Sequence, residues 1–233
     1  MVDLTGEMAG LWAALGPAPA HRARIIQFVG ASTGEGVSTV AREYARLAAV
    51  RARKPVWLID GDLAQQGQLE AIAAEPERFG ALSKPVQASP NGSIFFAVTP
   101  RITDAQGRTI PAHRLLTARA CLGGRLWTTR FRMEALRSGH RAEPLGRPDY
   151  WDALRPHADT VVIDTPAADR NDMAIILAPF VDASILVIAA ETTAASGPAI
   201  LRDEIEAVGG RIPGVVMNRS TYRAPGFLSR LSA

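Results

Sequence analysis

The chain has 233 residues, 47% of them hydrophobic and 21% charged, with 26 Lys+Arg against 23 Asp+Glu. That length and balance suit one folded domain with a sizeable core, and they exclude bulk disorder and a collagen-like chain. The single cysteine, Cys121, excludes an internal disulfide framework and a multi-cysteine zinc site, and it fits a reducing, cytoplasmic compartment.

Residues 3–15 predict a short helix, and the Gly-Pro-Ala-Pro break after it starts a linker that runs to residue 23. Acidic residues precede this apolar stretch, and glycine and proline interrupt it, which is wrong for a signal peptide. The run 24–30 (RIIQFVG) predicts a buried strand. A small-residue loop, 31–36, then leads into a helix over 38–52 that Lys54-Pro55 ends. Residues 55–59 predict a second strand, 63–75 a helix and 93–98 a third strand. Helices are predicted over 111–122 and 128–138, and a loop over 139–148. Further on, 150–156, 171–180 and 197–208 read as helices, while 160–163, 183–190 and 212–217 read as strands. The longest apolar run, 183–190, is far short of the roughly 20 residues that cross a bilayer. Continuous apolar strands alternating with helices indicate an α/β domain, a doubly wound, mostly parallel sheet flanked by helices. The domain spans 24–233 and follows the N-terminal helix and linker of 1–23.

The net charge of +3 is unevenly spread. Residues 1–100 balance nine basic against nine acidic side chains. Residues 101–147 carry ten arginines against Asp104, Glu134 and Glu143, and residues 148–233 carry seven basic against eleven acidic. The middle stretch therefore reads as an Arg-rich insertion. Trp127 and Phe131 among Arg125, Arg130 and Arg132 suit either stacking on bases or an amphipathic helix with a solvated basic face. His21, His113, His140 and His157 lack ligand spacing, and Cys121 reads as a small buried residue.

In such a fold, ligands bind at the carboxyl ends of the strands. The first strand runs into ASTGEGVST and then a helix. Glycines there let backbone N–H groups approach a phosphate, the helix N-terminus favours an anion, and Ser38 is placed for Mg²⁺. The pattern G-x-x-x-x-G-K-[ST] fails twice: Ala31 stands at the first glycine and Val37 at the lysine that reaches the β/γ-phosphates. An ordinary Gly-rich turn is the competing reading. Asp60 and Asp62 follow the second strand and Asp164 follows the strand 160–163. Each alone suits a turn or an N-cap. Their order, each on the right strand, favours a nucleotide site.

With those pieces in place, the sequence resembles the ParA/MinD-type P-loop superfamily and, within it, the bacterial tyrosine kinases of capsule and exopolysaccharide synthesis. The resemblance rests on STGEGVSTVA (32–41), VWLIDGD (56–62), TVVIDTP (160–166), VDASILVI (181–188) and IPGVVMN (212–218). It implies a P-loop fold, ATP or ADP held by Thr33, Gly34, Glu35, Gly36, Val37, Ser38 and Thr39, and Asn218 beside the adenine. It implies Mg²⁺ at Ser38 and Asp164, and Asp60 and Asp62 as the catalytic acids. The implied partner is a membrane chain-length determinant (polysaccharide co-polymerase) protein, which would place the chain in the cytoplasm at the inner membrane. A homo-oligomer is compatible with this reading, and nucleic acid is not an expected partner.

Several departures bear on activity. Val37 replaces the lysine, and Ser32 stands where ParA and MinD carry their extra lysine. No arginine follows the second acidic motif, the first helix lacks the Glu/Arg spacing of ring assembly, and Tyr222 is the lone C-terminal tyrosine. The tail 226–231 could make only a short amphipathic membrane contact. Losing one charged hydrogen bond to phosphate removes roughly 1.5–3 kcal/mol, so binding could survive while transfer declines. Transfer would need a substituting arginine, which would have to come from 101–147 or from a partner, and nothing in the sequence singles one out. The expected function is a kinase-like regulator of exopolysaccharide synthesis and export with weakened or lost phosphoryl transfer. Two alternatives stay open: an active tyrosine kinase or ATPase with an unorthodox phosphate site, and a ParA-like DNA-binding module.

Overall fold

The computed structural model describes residues 4–104, 106–190 and 196–219. Tyr222 and the tail 226–231 lie outside them. Helix α1 (Thr5–Leu15) precedes strand β1 (Arg24–Val29), followed by α2 (Val37–Arg51), β2 (Val56–Asp60), α3 (Gln68–Ala73) and α4 (Pro76–Phe79). Strands β3 (Val86–Gln87), β4 (Phe96–Thr99), β5 (Leu116–Cys121), β6 (Leu126–Phe131) and β7 (Arg141–Pro144) come next. The chain continues through α5 (Asp149–Leu154), β8 (Thr160–Asp164), α6 (Met173–Leu177), β9 (Ala183–Ala189), α7 (Ser196–Ala207) and β10 (Gly214–Asn218).

Eight strands form one sheet in the order β10-β9-β1-β8-β2-β6-β5-β3, while β4 and β7 pair as a separate antiparallel ribbon. Neighbours from β10 across to β6 run parallel, and β5 and β3 add on antiparallel. The central strands are buried on both faces, as their unbroken apolar runs require. Period-two alternation divides them between two layers. Ile26 and Phe28 pack with Met8, Val40 and Tyr44 under α1 and α2, whereas Ile25 packs with Tyr150, Trp151 and Leu154 of α5. Phe28 and Tyr44 meet ring to ring at 5.4 Å, and Phe28 is wholly buried. Such burial contributes about 1.5–3 kcal/mol per large apolar side chain. Gln27, a polar residue in this apolar strand, is paired through its nitrogen: Nε2 donates to the Ala174 carbonyl and to Ser184 Oγ, both at 2.8 Å, while its Oε1 has no partner among the described residues.

The Arg-rich stretch differs from expectation. The helices predicted over 111–122 and 128–138 are the hairpin strands β5 and β6, and the predicted loop 139–148 contains β7. The reason is visible in LTARAC and LWTTRF. Apolar and polar residues alternate, threonines and aromatics favour a pleated surface, and Gly123 and Gly124 turn the chain with φ of 64° and 91°. Strand β6 then lies parallel to β2, so the stretch extends the main sheet. The helix expected over 63–75 is shorter, starting at Gln68, because 62–67 forms a loop held by aspartate side chains. The strand expected at 93–98 is the ribbon strand β4, outside the main sheet.

Candidate functional site

Strand β1 leads through α2 to β2 on one side of β8, and β8 leads through α6 to β9 on the other side of β1. The loops after β1 and β8 therefore splay apart and leave a crevice at the strand ends. A cavity of about 290 Å³ lies there, lined by residues 32–39, Asp62, Gln65, residues 164–167, Arg170 and Arg219.

The loop 30–36 owes its shape to its small residues. Gly34 and Gly36 sit at φ of 91° and 89°, a region that L side chains avoid. A Cβ on Gly36 would also stand 2.1 Å from Asn218 Nδ2. Glu35 is buried and accepts the Ser32 amide at 3.0 Å. Asn218 Nδ2 donates to the Glu35 carbonyl at 2.8 Å, tying the end of β10 to the loop. The amides of Gly34, Gly36, Val37 and Ser38 donate to no described group, and the last two open α2. Unpaired amides around left-handed glycines at a helix start form a cradle for an anion.

Val37 is among the cavity-lining residues, but its apolar side chain brings no charge to the cradle. It is 7% exposed and packs with the core under α2, and its Cγ2 would lie 2.6 Å from a Cβ on Gly30. The residue at the lysine position is thus absorbed into the apolar layer.

In the strand register, Asp60 lies opposite Asp164 on adjacent β2 and β8. Asp164 Oδ2 accepts Gln68 Nε2 at 2.6 Å, and the same nitrogen reaches the Ser38 carbonyl at 2.8 Å. Asp164 Oδ1 is buried without a hydrogen-bond partner among the described residues. Burial pushes the Asp164 carboxyl up to about 6, although the hydrogen bond from Gln68 pulls the other way. An orphaned buried acceptor at the end of β8, in the same cavity lining as Ser38, suits the hydration shell of a hard divalent cation bound with a phosphate. No cluster of three or more His, Cys, Asp or Glu with metal-ligand placement occurs among the described residues.

The two predicted catalytic acids separate. Asp60 is buried inside and accepts the amides of Asp62 (3.3 Å), Gly67 (3.1 Å) and Gln68 (3.0 Å), so it shapes the loop after β2. Burial, reinforced by the Asp164 carboxylate, pushes it up to about 7. Asp62 lines the cavity. Its Oδ1 accepts the amides of Ala64 (3.1 Å) and Gln65 (2.8 Å), and its Oδ2 is paired with Arg170. Asn218 is committed to the loop and is not among the cavity-lining residues.

Sequence reasoning missed Gln68 and Arg170. Gln68, 1% exposed, ties α2, α3 and β8 together, and its only sequence signal was an amide opening a short apolar helix. Arg170 follows Asp169, which accepts the Thr33 amide at 2.8 Å and Thr33 Oγ1 at 2.9 Å. None of the ten arginines of 101–147 lines the cavity, whereas Arg170 and Arg219 do. Arg108 pairs with Asp104, Arg130 and Arg132 with Glu134, and Arg119 and Arg125 hold backbone carbonyls. Trp127 stacks on Trp57 at 5.6 Å, and buried Phe131 meets Phe96 at 4.9 Å, so this pair is packing rather than a base platform. Cys121 is buried, and burial pushes its thiol up to about 11, which leaves it inert.

No family model and no curated protein matches the sequence. Solved structures do match in fold. The VpsO kinase domain aligns with a TM-score of 0.56 at 20% identity, covering 85% of this chain and 86% of that one. The kinase domain of the Escherichia coli tyrosine kinase ETK aligns at 0.53 and 18%, covering 87% and 71%. A nucleotide-binding protein from Archaeoglobus fulgidus, solved with ADP, aligns at 0.51 and 15%, covering 90% and 76%. With its phosphate-type loop after β1 and acidic residues after β2 and β8, the chain has the P-loop α/β fold of bacterial tyrosine kinase domains.

Proposed function

We propose that this chain is a nucleotide-binding, tyrosine-kinase-like regulator of exopolysaccharide synthesis and export with reduced or lost phosphoryl transfer. One observation carries the reading: the amide cradle, Ser38 and Asp164 are assembled while Val37 is buried in the core. Thr33–Thr39 would hold the phosphates of ATP or ADP, and Ser38 and Asp164 would hold the Mg²⁺ that offsets their charge. The ADP-bound neighbour in fold supports a nucleotide as ligand. Oxyanion-type electrostatic stabilisation is commonly worth about 10²–10³ in rate, so its loss leaves binding ahead of catalysis.

The sequence resemblance supports a membrane co-polymerase as the partner. Among the described residues no helix is long and apolar enough to cross a membrane. Calorimetric titration with ATP-Mg²⁺ and ADP, beside a phosphotransfer assay on tyrosine-containing peptides, tests the reading. The expected result is measurable nucleotide binding with little or no transfer. Absence of binding at millimolar nucleotide would refute it, and rapid turnover would favour the active-kinase alternative.

A further inference from the structure

We propose that Arg170 is the phosphate-binding cation of this chain, taking the electrostatic place of the lysine absent at position 37. The inference rests on the nucleotide reading of the site and adds the residue that makes it workable. Three observations converge on it.

The backbone before Arg170 is indexed to the phosphate loop. Ala168 N donates to the Gly30 carbonyl at 2.9 Å and Asp169 N to the Ala31 carbonyl at 3.2 Å, while the Asp169 carboxylate clasps Thr33. Residue 170 therefore cannot drift relative to the cradle without breaking these contacts.

The side chain lines the same cavity as the cradle and is 28% exposed. One of its N–H groups meets Asp62 Oδ2, and the others have no partner among the described residues. A guanidinium presents five donors in a planar fork, so the unused ones remain for phosphate oxygens.

Asp62 is positioned without Arg170, because the amides of Ala64 and Gln65 hold its other oxygen. It works as a fixed carboxylate that aims the guanidinium across the pocket. The same pairing occupies one of the two predicted catalytic acids, which matches a site that binds better than it transfers. A lysine at 37 would approach the phosphates from the helix start, whereas Arg170 approaches from the loop after β8. The charge is supplied to the same cavity by a different element.

The test compares wild type, Arg170→Ala, Arg170→Lys, Arg219→Ala, Asp62→Asn and the double variant Val37→Lys/Arg170→Ala. Binding of ATP, ADP and AMP with Mg²⁺ is measured by calorimetry, with circular dichroism to verify folding. Arg170→Ala is expected to weaken ATP binding by roughly tenfold to a hundredfold, the effect of one charged hydrogen bond. The loss should shrink from ATP to AMP, which a merely structural role would not produce. Arg170→Lys should retain part of the affinity, and Val37→Lys should restore it in the alanine background. Asp62→Asn should weaken ATP binding by a few-fold, since the guanidinium loses the carboxylate that aims it.

Wild-type binding that Arg170→Ala leaves unchanged would overturn the inference and leave the nucleotide reading standing. A loss seen with Arg219→Ala and not with Arg170→Ala would overturn it likewise. No nucleotide binding by folded wild type would sink both.

Discussion

Replacing Val37 by lysine tests whether the rest of the pocket is intact. Val37 is 7% exposed and packed between Gly30 and the core under α2. Removing a buried valine forfeits up to about 1.5–3 kcal/mol. A lysine stem recovers part of that contact while its ammonium reaches toward the loop amides. The net destabilisation should therefore be about 1–2 kcal/mol, a fall in Tm of about 2–8 °C for a domain of this size. Against that loss, the ammonium gains a charged hydrogen bond to phosphate of about 1.5–3 kcal/mol, realised only with ligand present. ATP affinity should rise by about tenfold to a hundredfold. Differential scanning fluorimetry with and without ATP-Mg²⁺ and calorimetry read both quantities. The apo protein should melt earlier than wild type, and the nucleotide-induced rise in Tm should be larger. A variant that melts within the stated range but binds ATP no better than wild type would refute the reasoning, because the cradle would then not be placed for phosphates.

Gly36→Ala should abolish nucleotide binding and destabilise the fold by about 1–3 kcal/mol, since φ is 89° and the new Cβ displaces Asn218; calorimetry and urea denaturation check this. Asp60 and Asp164 sit near 7 and 6 in the fold, against about 3.9 for an unfolded aspartate. The native state therefore holds more protons than the unfolded state between about pH 4 and 7, so stability should fall as pH rises through that window and level off above it. Urea denaturation from pH 5 to 8 reads this, and Asp60→Asn should flatten the profile. Gln68→Ala should lower stability by about 1–3 kcal/mol by unpairing Asp164 and the Ser38 carbonyl; hydrogen exchange should show the first turn of α2 loosening. Cys121 should resist a maleimide in native protein and react after unfolding, as mass spectrometry would report.

The parallel core was legible because its signal is local. RIIQFV, VWLID, TVVID and ASILVIA are continuous apolar runs, and a strand buried on both faces cannot be built otherwise. The glycine loop and the acids ending two strands were legible for the same reason, as short stretches whose order sets their place in a wound sheet. The Arg-rich stretch was not. Arginine has high helix propensity, which masked a period-two pattern in LTARAC and LWTTRF. Those segments become strands because β6 finds the open edge of β2, a partner 70 residues earlier.

By itself, then, the sequence determined that this chain builds a P-loop-like α/β domain, and that valine stands at position 37 of its glycine-rich loop. Tertiary structure decided what became of the site. It turned Asp60 inward onto three amides, left Asp62 at the cavity, drew Val37 into the core and brought Arg170 beside the loop from the far side of β8. The physical reason is reach: periodicity and turn chemistry act over a few residues, whereas the charge at a phosphate site depends on side chains from strand ends more than 100 residues apart.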